Sequence, residues 1–87
     1  MLTPAAERQI NRLRGINFIA ARGVILALRD EPRPRGSGKL TGRTNLCRLR
    51  IRVDGRPWRI VYRIDERKQE VVVTRVAPRD EGTYRDL

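Results

Sequence analysis

The stretch Cys47-Arg-Leu-Arg-Ile-Arg-Val-Asp-Gly-Arg-Pro-Trp-Arg-Ile-Val-Tyr-Arg-Ile64 decides the fold. Arg48, Arg50 and Arg52 alternate with Leu49, Ile51 and Val53. After Asp54-Gly55, Arg59 and Arg63 alternate with Trp58, Ile60, Tyr62 and Ile64. Alternation with period two marks strands with one buried face, and Asp-Gly marks a hairpin turn. A two-residue turn pairs Val53 with Arg56 and Arg50 with Arg59. A four-residue loop pairs Val53 with Trp58 and Arg52 with Arg59. Both keep apolar side chains on one face and arginines on the other, whereas an odd-length loop without a bulge mixes the faces. Pro57 lacks an N–H, which favours the longer loop.

Working outward, a third strand runs over Glu70–Ala77. Continued alternation assigns Val72, Thr74 and Val76 to its core face, and Val71, Val73 and Arg75 to the arginine face. Residues 31–43, with Pro32, Pro34, Gly36, Gly38 and Gly42, read as loop. Ahead of them lie two helices. Thr3 is an N-cap with Pro4 in the first turn, and Ala6, Ile10 and Leu13 share a face. Gly15 reads as the stop. The second helix spans about Asn17 to Asp30, with Phe18, Ala21, Ile25 and Leu28 on one stripe. The expected fold is α+β: a helical hairpin on one face of a three-stranded antiparallel sheet, in one domain over residues 1–87.

The chain carries a formal charge of +10, and all but two of its 20 basic residues are arginine, the exceptions being Lys39 and Lys68. Like charges opposed on a sheet repel, and the nearest carboxylates, Asp54, Asp65 and Glu66, fall in turns. A face of this kind is built to receive phosphate, since guanidinium binds it in a bidentate fork. The charge points to a polyanion partner. No apolar run approaches a membrane span, and no signal peptide is evident, so the expected location is the cytoplasm, without membrane association. The lone cysteine, Cys47, suits a reducing compartment.

The chain has no histidine. That excludes a histidine-pair ribonuclease and a Ser-His or Cys-His nucleophile, and with one cysteine it excludes a structural zinc site. No metal or other cofactor is expected. Tyr62 alternates with core residues and reads as structural. Tyr84 lies in the polar tail five residues after Arg79. Fixed positive charge lowers a phenol's pKa, so Tyr84 is a candidate base; spacing alone leaves open that it packs the tail down.

The ordered set of a proline-rich loop, Lys39-Leu-Thr-Gly42, Arg48-Leu-Arg50, Trp58-Arg-Ile-Val-Tyr62 and a C-terminal Val-x-x-Arg resembles the RelE/ParE superfamily of bacterial type II toxins over residues 2 to 85. The resemblance implies a helical hairpin on an antiparallel sheet and a cognate antitoxin, RelB-like or otherwise acidic. Its RelE branch, favoured here by Tyr84, implies a metal-independent endoribonuclease that cuts mRNA in the ribosomal A site by attack of the RNA's own 2′-OH. The residues at its catalytic positions are Arg48, Arg50, Arg59, Arg79 and Tyr84. Tyr84 would take the 2′-OH proton, aided by Arg48 and Arg50; Arg59 would stabilise the phosphorane-like transition state; Arg79 would serve the leaving group. Lys39 and Arg43 join Arg48, Arg50 and Arg52 as expected RNA contacts. The ParE branch implies instead a DNA gyrase poison without chemistry of its own, and a nuclease-inactive RNA- or ribosome-binding relative is a third reading. Three departures stand out. The basic pair is arginine where lysine is common, the gap from Arg79 to Tyr84 is one residue shorter than in some active members, and the family's N-terminal strand is missing, which leaves a sheet edge uncovered.

Overall fold

The computed structural model describes residues 1–39, 46–53 and 55–78. Two helices, α1 (Pro4–Asn11) and α2 (Gly15–Asp30), precede four strands, β1 (Ser37–Lys39), β2 (Leu46–Val53), β3 (Arg56–Asp65) and β4 (Glu70–Pro78). The strands form one antiparallel sheet in the order β1-β2-β3-β4. Both helices pack on one face of it. The α+β expectation holds, with four strands among the described residues rather than three. The added strand, β1, lies in the segment read as loop, because Ser-Gly-Lys offers no apolar alternation.

The Thr3 cap forms as its sequence dictates: its hydroxyl accepts the Ala6 N–H at 3.2 Å, and Pro4 occupies the first turn. The first helix ends at Asn11, earlier than the Gly15 stop predicted. Gly15 instead turns the chain into α2 with φ of +57°, a conformation that glycine adopts freely. Ala6, Ile10, Ala21, Ile25 and Leu28 meet Cys47, Leu49, Ile60, Tyr62, Val71, Val73 and Val76 in a single core. Each of the larger side chains contributes about 1.5–3 kcal/mol through its burial. The Tyr62 hydroxyl donates to the Pro32 carbonyl at 2.7 Å, and Arg33 pairs with Glu66 at 2.8 Å. These two contacts hold the proline-rich segment against β3 and the turn that follows it.

The hairpin corrects the preference for a longer loop. Val53 pairs with Arg56, Ile51 with Trp58 and Arg50 with Arg59, as a two-residue turn requires. In such a hairpin the closing pair exchanges both ladder hydrogen bonds and the next pair makes none. Pro57 stands opposite Arg52 in that next pair, so its missing N–H costs the β2 ladder nothing. Gly55 carries φ of +76°, the left-handed conformation the turn needs.

The third predicted strand needs a second correction. Val61 pairs with Arg75 but Tyr62 pairs with Val73, so Thr74 is an extra residue, a β-bulge. Below the bulge Val71 and Val73 face the helices and Val72 faces away. Above it Val76 faces the helices and Arg75 faces away. Strict alternation therefore fails: Val71 and Val73 belong to the core, and Val72 and Thr74 do not. The bulge is held from three sides. Thr74 Oγ1 donates to the Val61 carbonyl at 3.2 Å, Thr3 Oγ1 lies 3.4 Å from the Thr74 carbonyl, and the Val76 N–H donates to Gln9 Oε1 at 2.6 Å.

The edge predicted to be open is also occupied. Leu2 forms a parallel bridge with Val73. The Met1 ammonium donates to the Val71 carbonyl at 2.9 Å, Val73 N–H to the Met1 carbonyl at 2.8 Å, and Thr3 N–H to the Val73 carbonyl at 2.9 Å. With Gln9 on Val76, the outer edge of β4 is satisfied from Val71 to Val76 by the chain's own first nine residues.

Candidate nucleic-acid interface

The sheet face opposite the helices is set by the register. Residues directly opposed across an antiparallel pair project from the same face. Arg48, Arg50 and Arg52 of β2 therefore share that face with Arg59, Val61 and Arg63 of β3, and with Val72, Arg75 and Ala77 of β4. Its acids among the described residues, Asp65 and Glu70, sit opposite each other at the end beside the β3–β4 turn. Asp65 already accepts the Lys68 N–H.

The arginines are graded in exposure. Arg59 is 4% exposed, the one buried charged residue among those described. Arg48 and Arg75 are half-buried, and Arg50, Arg52 and Arg63 are exposed. Arg50 and Arg59 occupy a directly opposed pair two steps from the Arg52–Pro57 pair, hence also one without ladder bonds, where Cα atoms approach to about 4.5 Å. The Arg48 guanidinium lies over Gly38, where an added Cβ would stand 3.4 Å from its Nη2. Glycine at that place lets the side chain lie flat across β1.

Of the expected site residues, the fold brings together Arg48, Arg50, Arg52 and Arg59. Lys39 does not join them: it pairs with Cys47, a core-face residue, and so projects from the helix side of the sheet. Arg43, Arg79 and Tyr84 lie outside the described residues. Arg63 and Arg75 were absent from the expected site and belong to the face. Alternation along the strands already assigns both to the arginine face, Arg63 after Arg59 and Arg75 in the third predicted strand.

The chemistry open to this face is charge stabilisation. Guanidinium holds its proton too tightly to shuttle it. Tyr62 is no proton acceptor near neutrality: burial pushes its pKa up, only partly offset by the Ser37 hydroxyl, and its phenol points into the core. Among the described residues no group of three or more histidine, cysteine or acidic side chains is placed to hold a metal ion. Nor is any helix among them long and apolar enough to cross a membrane.

A family model described as the ParE toxin of the type II toxin–antitoxin system parDE matches residues 1–82. The chain belongs to this family and is a type II toxin of the RelE/ParE superfamily, with a cognate antitoxin as its partner. Its fold is similar to that in the crystal structure of the intact E. coli RelBE toxin–antitoxin complex, with a TM-score of 0.74 at 20% identity, covering 92% of this chain and 94% of the other. It is similar also to the isolated E. coli RelE toxin in its P21 form, with a TM-score of 0.70 at 20% identity, covering 93% and 85% of the two chains. At that identity the likeness concerns the fold. No curated protein matches the sequence significantly.

Proposed function

We propose that the chain is a ribosome-dependent endoribonuclease that cleaves mRNA in the A site and so arrests translation in the cytoplasm. The observation that carries the reading is the directly opposed Arg50–Arg59 pair at the centre of an arginine-lined sheet face. Bracketed by Arg48, the pair suits a phosphodiester whose charge rises in a pentacoordinate transition state. Preorganised donors of that kind contribute a few kcal/mol. In this reading Tyr84, as phenolate, removes the 2′-OH proton; the 2′ oxygen bonds to phosphorus as the P–O5′ bond breaks, leaving a 2′,3′-cyclic phosphate; Arg79 stabilises the leaving 5′ oxygen, which takes its proton from water; and Arg52 tracks the neighbouring backbone. In this reading no metal is required, because the arginines supply the positive charge at the phosphate and the RNA supplies the nucleophile. A general base contributes about 10²–10⁴-fold, and the rest falls to the ribosome, which aligns the RNA for in-line attack.

The family match favours a second reading. A chain matched by a model named for ParE is also a candidate gyrase inhibitor, using the same basic face as a docking surface. Mapping of RNA 5′ ends after induction separates the two. The nuclease yields new ends inside open reading frames, lost in Arg59→Ala and Tyr84→Phe; the gyrase poison yields DNA breaks and leaves mRNA intact. Full toxicity of Tyr84→Phe would overturn the base assignment.

A further inference from the structure

The helix α2 carries a second apolar stripe, on the side away from the sheet. Ile16 is 79% exposed, Ile19 68% and Leu26 48%. With Gly23 they fall at spacings of three, four and three, the a and d positions of two heptads. The core stripe of the same helix, Ala21, Ile25 and Leu28, lies about half a turn round from them. The flanks of the exposed seam differ. One carries Arg22 and Arg29, both exposed; the other carries Ala20 and Ala27, also exposed. Among the described residues Arg22 and Arg29 have no ion-pair partner.

Gly23 sharpens the reading. It sits mid-helix, where glycine weakens the helix. Its φ is not positive, and a Cβ built there meets nothing within 4 Å. Neither the backbone nor packing among the described residues calls for it. An approaching helix does, since small side chains at a seam let two helix axes come close.

We propose that this face of α2 is a docking seam for an amphipathic helix of a partner protein, with apolar residues at its own seam and acidic residues along one flank. Charge selects the occupant. A second copy of this chain brings another +10 and no acidic flank: across a parallel pair Arg22 would face Ala27, and Arg29 would face position 34, past the end of the helix. An antiparallel pair would set arginine against arginine. A glutamate-flanked helix instead pairs both arginines while its apolar side covers Ile16, Ile19 and Leu26. The seam lies on the opposite side of the sheet from Arg48, Arg50 and Arg59. The inference therefore goes beyond the proposed nuclease and does not depend on it.

The test uses the full chain and a fluorescent three-heptad peptide with leucine at a and d and glutamate at e and g, against a control with lysine at e and g. The glutamate peptide is expected to bind at least about tenfold tighter than the control. Gly23→Leu should weaken it at least about tenfold by filling the point of closest approach, with no fall in melting temperature because leucine is the better helix former. The Arg22→Glu/Arg29→Glu variant should invert the preference between the peptides. Unchanged binding to Gly23→Leu would overturn the proposal, because the peptide would then be seated away from the seam. A dimer of the parent chain that Gly23→Leu dissociates would overturn it too, in favour of a second copy. Should Gly23→Leu melt early, the exposed pair Ile19→Ser/Leu26→Ser carries the same test, and unchanged binding there has the same meaning.

Discussion

Replacing Gln9 by leucine tests whether a side chain of the first helix holds the bulge in β4. Gln9 Oε1 accepts the Val76 N–H at 2.6 Å, beside a residue that is 1% exposed. Leucine matches glutamine in helix propensity, so α1 itself is unaffected. The loss is the acceptor. A buried amide left unsatisfied costs about 1–3 kcal/mol. In a domain of this size each kcal/mol moves the melting temperature by about 4–8 °C, so the expected fall spans about 4–24 °C. Gln9→Glu keeps an acceptor, and its carboxylate forms a charge-assisted bond, so it should retain most of the stability. Urea unfolding gives the free energies, and hydrogen exchange at the Val76 amide reports the bond directly, with protection lost in the leucine variant and kept in the glutamate variant. A leucine variant within about 0.5 kcal/mol of the parent, or a glutamate variant as unstable as the leucine one, would show that β3 and Thr3 hold the bulge without Gln9.

Deleting Thr74 removes the extra residue, so that β4 must either turn Arg75 into the core or turn Val71 and Val73 out of it; a loss beyond about 4 kcal/mol is expected, and a cooperatively folded deletion variant would refute the register. Gly55→Ala, at φ of +76°, should lose about 1–2 kcal/mol in denaturant unfolding; no loss would mean that the turn has another conformation. Tyr62 has a raised pKa in the folded state, so above about pH 10 the unfolded chain gives up its proton first. Its contribution is present in full below that pH and is lost as pH rises through the folded value. Tyr62→Phe should flatten that part of the stability–pH curve, and an unchanged slope would show that the phenol is not the group responsible. On single-stranded RNA, Arg50→Ala and Arg52→Ala should each lower the log–log salt slope by about 0.7, while Lys39→Ala leaves it unchanged; an equal effect of Lys39→Ala would place RNA on the wrong side of the sheet.

How much of this was legible in the sequence follows from where side-chain alternation carries information. Over residues 46–64 every second residue is apolar and every other one is mostly arginine, so both faces could be assigned before the turn length was known. The turn length is not legible in the same way, because Pro57 points to the longer loop. A missing N–H matters only at a hydrogen-bonded pair, and that depends on the register being inferred. Over residues 71–73 the alternation vanishes: three consecutive valines suit either face, and nothing in Val-Val-Val-Thr-Arg marks the bulge. Its necessity appears only when two demands are set together. The helices need Val71 and Val73 beneath them, as Tyr62 and Ile64 across the pair dictate, and Arg75 needs an exit from the core. Without an inserted residue these demands conflict by one position. The same insertion restores Val76 to the core beside Ile60. The bulge thus lets one short strand serve both the core and the arginine face. The edge of β4 was unreadable for a related reason. Met1 and Leu2 are too few for a strand by any pattern, yet backbone groups of Met1 and Thr3 with the Gln9 side chain suffice to satisfy it. The contacts that close the edge thereby fix the bulge, and the bulge sets which way Arg75 points. Stability and site geometry are coupled through α1, on the side of the sheet where no arginine of that face is found.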